Sequence, residues 1–485
     1  MDPRPSRLVE LCFTPKVKLR RSSIQHRATE AMKTAPVAML RKSALPYDLG
    51  HTLNHALRVM GDWFLPEVQQ ELRTICRNVR KQLRRYAHAV RHLPKERAEQ
   101  LEYRLTACFG FRVISVLHGF PKSGKQITFD QVKKLANHAN PRFPSGEKVI
   151  VTAIPKAEGG KRPITKFGQV ARANQSMARD LIHMACGHSK FEYARKGRGR
   201  EKLMEAINNA NKNGGTRALG TFDIKDCFGS MGLSAVETVI PISRRIIRNT
   251  IYVSDDTHIH MYTDLVSEHA VRAGLSQGAL TSPIVAGLVI EPCLEKVSAK
   301  FRGSYLDDIS IGDGAVSVVE TGLNTLAEAL KSQYPGSPLF EKCRAAFKIG
   351  QHQDVLGYWL RPNSKEYGGG LRFSPSNKAI RRFYVRLTTC LLKRPYLEWG
   401  DIMEEKAYAF AASAKNWRGA KGGREFLITV FATLIEPLLE AAHQEVLAAI
   451  AAGGSIGNVH ELATKLASDL IPTTVIVNAD GFMDW

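Results

Sequence analysis

From Gly303 to Gly312 apolar and polar residues alternate with the two-residue period of a strand, and Gly312-Asp313-Gly314 can close a turn. Tyr305-Leu306-Asp307-Asp308 therefore stands near the tip of a β-hairpin. Upstream, Leu219 and Phe222 predict a buried strand that delivers Asp223 to its end, with Asp226 and Phe228 in the turn that follows. Residues 150–164 read as a strand, a Glu158-Gly159-Gly160 turn and a second strand. Helical spacing governs other stretches. Leu72, Ile75, Val79, Leu83 and Val90 mark one apolar face, residues 170–182 predict a helix, and Ser282-Pro283 can open a helix through the apolar run to Ile290. After a Gly-rich linker at 361–370, basic and apolar residues interleave from 381 to 394. Phe426 to Ile450 is an apolar helix pattern broken by Pro437. The tail from Ile471 to Val477 is β-prone, a strand that packs back or joins another subunit.

At 485 residues the chain exceeds one ordinary core, so two or three packed units are expected, and 44% apolar residues suffice to build them. A formal charge of +23, from 69 basic against 46 acidic residues, calls for a polyanionic partner. Eight cysteines lie singly, without Cys-x-x-Cys pairs, which reads as reduced thiols. No apolar run reaches membrane-spanning length and no signal-peptide core is present, so a cytoplasmic protein without a membrane partner is expected.

Adjacent carboxylates repel unless a cation sits among them, and oxygen-only ligands at a strand end suit Mg²⁺ or Mn²⁺. An Asp-Asp pair in a turn is by itself only a solvated turn sequence. The second acidic block changes its meaning: two-metal phosphoryl transfer needs carboxylates from separate strands holding ions about 4 Å apart, and Asp223, Asp307 and Asp308 supply that set. Between the blocks, Gly278 permits close backbone approach to a ligand and Gln277 offers an amide.

The order Asp223 to Phe228, then Gln277-Gly278 to Ser282-Pro283, then Tyr305 to Asp308 resembles the palm of reverse transcriptases. Residues 150–164 resemble the fingers hairpin, Phe340 to Arg344 the block that presents a lysine near pyrophosphate, and Val355 to Leu360 the primer grip. The resemblance implies an α+β right-hand polymerase with fingers, thumb and an antiparallel palm sheet. A basic helical extension would occupy 1–135, fingers and palm 136–372, and a helical thumb with tail 373–485. It implies Asp223, Asp307 and Asp308 as catalytic residues, Asp223, Ile224, Asp307 and Asp308 as metal-binding positions for two Mg²⁺ (or Mn²⁺), and Lys156, Arg162, Asp226, Phe228, Gln277 and Lys342 around the nucleotide. Phe228 would close off space beside the sugar 2′ carbon and so select dNTPs. Asp226 reads either as a group near the triphosphate or as the N-cap of the next helix. Ser276 stands where proline is frequent, and Leu306 where Ala, Met or Val is usual.

Three basic stretches point to nucleic acid. From Leu72 to Lys95 there are eight basic residues and no acidic one, with Arg73, Arg77, Arg80 and Arg84 close to one helical face. Arg195, Lys196, Arg198 and Arg200 lie among glycines in a phosphate-contacting loop. Arg381, Arg382 and Arg386 suit a thumb helix along the product duplex. The leading reading is an RNA-directed DNA polymerase of the bacterial stand-alone type, similar to group II intron-like and defence-associated reverse transcriptases. An RNA template or dedicated noncoding RNA, a DNA product and dNTPs would be its partners, with homo-oligomerisation open and antiphage defence as its role. The alternatives are a template-independent or protein-primed terminal transferase on the same site, and an RNA-binding scaffold with a vestigial site.

Overall fold

The computed structural model describes residues 58–376, except 121–125, 156–160, 196, 352 and 363–368, together with Thr52, His55, Ala56 and isolated positions toward the C-terminus. Lys156, Lys196, Arg381, Arg382, Arg386 and the Phe426–Ile450 pattern lie outside the described residues. Of the tail, Ile476–Val477 pairs antiparallel with Met483–Asp484.

Helix α1, Pro66–His92, starts with proline in its first turn, where the missing N–H costs nothing, and carries Arg91 and His92 in its last, where the carbonyl ends favour cations. It stops at Leu93, because Pro94 disfavours helical backbone in the residue before it. Leu72, Cys76, Val79, Leu83 and Tyr86 form its buried stripe. The spacing of the arginines is only partly a solvent face: Arg77 and Arg84 are exposed, whereas Arg73 and Arg80 are half-buried. Helices α2 (Lys95–Ala107), α3 (Phe109–Gly119) and α4 (Phe129–His138) follow. The last is opened by a capping box, in which Thr128 accepts from the Gln131 N–H and the Gln131 side chain accepts from the Thr128 N–H.

The antiparallel strands β1 (Val149–Pro155) and β2 (Lys161–Lys166) match the two strands expected over 150–164, and Ile154 stands opposite Arg162. Helix α5 (Gln169–Cys186) packs on α3, which buries Ala173, Met177, Ala178 and Leu181. Then come α6 (Arg200–Gly214), β3 (Ala218–Ile224), α7 (Leu233–Val239), α8 (Arg244–Thr250), β4 (Ile259–Met261), α9 (Glu268–Ala273), α10 (Ser282–Glu295), β5 (Phe301–Tyr305), β6 (Asp308–Asp313), α11 (Val316–Ser332), β7 (Glu341–Lys348), β8 (Tyr358–Pro362) and β9 (Leu371–Pro375). Strand β4 adds to β1 in parallel, a pairing that three residues of pattern do not announce.

The palm is a four-stranded antiparallel sheet in the order β5-β6-β3-β7. The mixed helical and antiparallel architecture agrees with the α+β expectation. Helix α10 is apolar on all sides and buried through most of its length, as a core helix must be. One continuous cluster of buried side chains extends from Ala56 to Leu339, so the N-terminal helices and the palm share a core. No helix among the described residues is long and apolar enough to cross a membrane.

Candidate active site

Strand β3 is central, and its partners fix the chemistry by register. Asp223 pairs directly with Asp308 of β6 and with Cys343 of β7. Along β3, Phe222 and Ile224 are buried while Thr221 and Asp223 are partly open, the two-residue alternation of a half-covered strand. Ile224 thus gives its side chain to the core, and a register shift between Asp223 and Ile224 bends the strand just at the carboxylate. Like charges directly opposite across a ladder are unfavourable.

Asp307 occupies the two-residue turn between β5 and β6, beside Leu306 at φ +60°. Its carboxyl is raised above the ordinary aspartate range, first by burial and further by Asp223, while its own backbone N–H, Arg162 and Lys342 pull it down. Arg162 of β2 and Lys342 of β7 thus both act on the Asp307 carboxyl. The Lys342 ammonium donates to Asp223 Oδ2 and is itself raised chiefly by that bond. The buried Cys227 thiol is pushed up by burial and then by Asp307, Asp223, Asp226 and Glu192.

The Gln277 loop is wedged into this cluster. The Thr165 N–H at the end of β2 donates to the Gln277 carbonyl at 2.8 Å, and the Leu275 N–H donates to the Phe228 carbonyl at 2.8 Å. Gly278, at φ +123°, could carry no Cβ without meeting the Thr165 carbonyl, and Gly274 lies against the Gly229 backbone in the same way. Both glycines are therefore demanded by close backbone approach. Ser276, at the position where proline is frequent in the family, is held instead by Ser282 Oγ donating to its carbonyl at 2.8 Å.

Asp226 is in a turn at φ +42°, accepts the Gly229 N–H, and has its carboxyl raised by burial. It is not the N-cap of the next helix, since α7 is preceded by Gly232. The alternative on offer for Asp226 is corrected accordingly: its side chain folds back on its own turn, which a φ in the left-handed region permits. Phe228 is half-buried on the core beside the Gln277 loop.

The loop after α5 is pinned rather than open. Arg198 donates to the carbonyls of Lys190 at 2.9 Å and Glu192 at 3.3 Å and lies 4.8 Å from the Tyr193 ring centre. Arg195 is half-buried, and Arg200 donates to the Leu356 carbonyl at 3.4 Å.

Sequence reasoning missed Glu192. It is 3% exposed, and the segment around it runs beside β5, with the Tyr193 N–H donating to the Ser304 carbonyl and the Ser304 N–H to the Phe191 carbonyl, both at 2.8 Å. The carboxylate accepts from the N–H groups of Tyr193, Ala194 and Leu306 and from Ser304 Oγ. It therefore holds the turn that presents Asp307. Nothing local marks it, because Ser304 and Leu306 are more than a hundred residues away in sequence.

The donor chemistry fits divalent cations: facing carboxylates, balanced for the moment by an ammonium, with the Cys343 thiol 3.9 Å from Asp223 Oδ2. Among the described residues no three His, Cys, Asp or Glu side chains already converge closely enough to hold an ion, in keeping with Asp223 being engaged by Lys342. A four-stranded antiparallel sheet with paired aspartates at the β3–β6 strand ends and cationic groups from two other elements is an arrangement suited to nucleotidyl transfer. Residues 154–358 match the family model for reverse transcriptase (RNA-dependent DNA polymerase), so this part of the chain is similar to a reverse transcriptase domain. No curated protein matches the chain.

Proposed function

We propose that the protein extends a primer 3′-hydroxyl with dNTPs, copying an RNA that it holds as a dedicated partner, in a defence role against phages. The observation that carries the polymerase reading is that Asp223, Asp307, Arg162 and Lys342, from four separate elements, act on one another electrostatically, with Lys342 bonded to Asp223. Asp223, Asp307 and Asp308 would hold two divalent cations, with Ile224 beside them; when bound, these activate the attacking oxygen and steady the leaving group. Arg162 and Lys342, with Lys156, would bind the triphosphate and neutralise charge developing on pyrophosphate. The Lys342 ammonium, already on a carboxylate, is placed to exchange that partner for a phosphate oxygen. Gln277 and the Phe228 ring would line the base and sugar side of the nucleotide. The charge of +23 supports a polyanionic partner of more than a few nucleotides.

Phe228→Ala should relax sugar selection, lowering the ratio of kcat/KM for dNTP over rNTP by about 10- to 100-fold, the scale on which a filled apolar contact discriminates. An unchanged ratio in a folded, active variant removes the ring from that role. The function itself is tested by purifying the protein with its bound nucleic acid, adding Mg²⁺ and dNTPs, and sequencing the RNA and any new DNA. DNA complementary to one defined bound RNA is the expected result. DNA of simple repeats without an RNA complement would replace the reading by terminal transfer, and no DNA would replace it by a binding scaffold.

A further inference from the structure

Helices α1 and α2 meet at the short Leu93-Pro94 corner, and between them lies a surface depression of about 510 Å³. Arg84 and Arg85 enter it from α1, Arg97 and Arg104 from α2, and Leu93 and Leu101 supply apolar surface between them. Among the described residues no carboxylate lines it. That is not for want of acids on α2, because the fold turns each of them elsewhere. Glu102 points inward, bonded to Arg142 Nη1 at 3.1 Å and to the Ser243 N–H at 2.9 Å. Glu96 and Glu99 line a neighbouring depression with Tyr103, which Arg104 borders from its other side without an ion pair, and Glu99 faces Lys95 at 3.9 Å. Among the described residues, none of the salt bridges includes Arg84, Arg85, Arg97 or Arg104. Four guanidiniums without an ion-pair partner around one hollow are mutually repelling unless an anion joins them.

We infer that this corner is an RNA-binding site, separate from the catalytic cluster, which grips phosphodiester groups with Arg84, Arg85, Arg97 and Arg104. All four cations are arginine, whose planar fork matches two phosphate oxygens at once where a lysine offers a point charge. The leucines between them give a ribose or base face an apolar seat. The hollow shares no residue with the palm, so it holds RNA outside the stretch being copied. The choice of RNA over another polyanion rests on the reverse transcriptase reading.

The test uses the full-length protein and a labelled RNA hairpin, with affinity measured from about 50 to 200 mM salt. Arg85→Gln, Arg97→Gln and Arg104→Gln combined should flatten the slope of log affinity against log salt by about two, since each lost phosphate contact removes roughly 0.7–0.9. A control that loses three charges from ion-paired positions elsewhere, Lys133→Gln, Arg244→Gln and Lys331→Gln, should change the slope by less than about one. Equal slopes for the two triple variants overturn the proposal. So does a groove variant that loses binding to polyglutamate but not to RNA, which would assign the hollow to an acidic protein segment. If the glutamine variant melts early, Arg85→Lys, Arg97→Lys and Arg104→Lys keep the charge and remove the fork; weaker RNA binding at unchanged slope then supports the site, and unchanged binding overturns it. Primer extension by the unaltered protein is run in the same buffer. Failure there sinks the polymerase reading while the salt slopes still decide the groove.

Discussion

Asp307→Asn combined with Asp308→Asn should abolish nucleotide incorporation, by more than about 10³-fold, while the protein melts at or slightly above its original temperature. The rate loss corresponds to several kcal/mol of transition-state stabilisation supplied through the carboxylates, at 1.36 kcal/mol per tenfold. The unchanged fold follows from where the acids stand. Asp308 is exposed at the start of β6 opposite Asp223, and Asp307 is raised by burial and by Asp223, so a neutral amide at 307 relieves a cost and one at 308 lessens the repulsion across the ladder. Primer extension at saturating Mg²⁺ and dNTP, beside a thermal melt, checks both halves. Full activity in the pure variant would sink the assignment of the site, and a large drop in melting temperature would show that the turn depends on these carboxylates.

The second large effect concerns a residue outside the family motifs. Glu192→Ala should cost about 3 kcal/mol or more, because buried N–H donors and a hydroxyl lose their acceptor and a cavity opens beneath the β5–β6 turn. Leu306 holds a φ of +60° where hairpins prefer glycine, and its N–H donates to Glu192 Oε1 at 3.4 Å. Without that acceptor the turn is free to relax and Asp307 to shift. Glu192→Gln keeps shape and one acceptor oxygen, so it should fold, yet lower kcat at least about tenfold with a smaller change in the dNTP KM and a raised Mg²⁺ requirement. A purely structural residue would leave the Mg²⁺ requirement untouched in the folded variant. The pH dependence has a definite sign. Burial raises the Glu192 carboxyl in spite of its donors, so its contribution to stability is full below the ordinary glutamate range and is lost as pH rises through its folded value. Gln cannot ionise, and stability in that window should become flatter.

The palm was legible because its signals are local. Alternation around Phe222 and Ile309 gives strands, and the aspartates at their ends give the chemistry, with no knowledge needed of what packs behind. The core helices read equally well from their stripes. What escaped depends on distance or on facing. Glu192 meets its turn from across the sheet. The α1–α2 hollow is hidden in a sequence that interleaves Arg97 and Arg104 with Glu96, Glu99 and Glu102, and only the folded helix sends the signs in different directions. Asp226 offered a helix cap on paper because acids before helices usually cap; its backbone conformation turned it toward Gly229 instead.

The bond from the Thr165 N–H to the Gln277 carbonyl would give the proposed nucleotide pocket a fulcrum. Gly278 lets the loop lie flush under that strand end, so the fingers hairpin is clamped at its root. Arg162 is three residues further out, a lever arm of roughly 10 Å at the rise of an extended strand. A swing of ten degrees about the clamp would carry its guanidinium by only about 2 Å on that arm, enough to make or break a phosphate contact without disturbing the walls of the pocket.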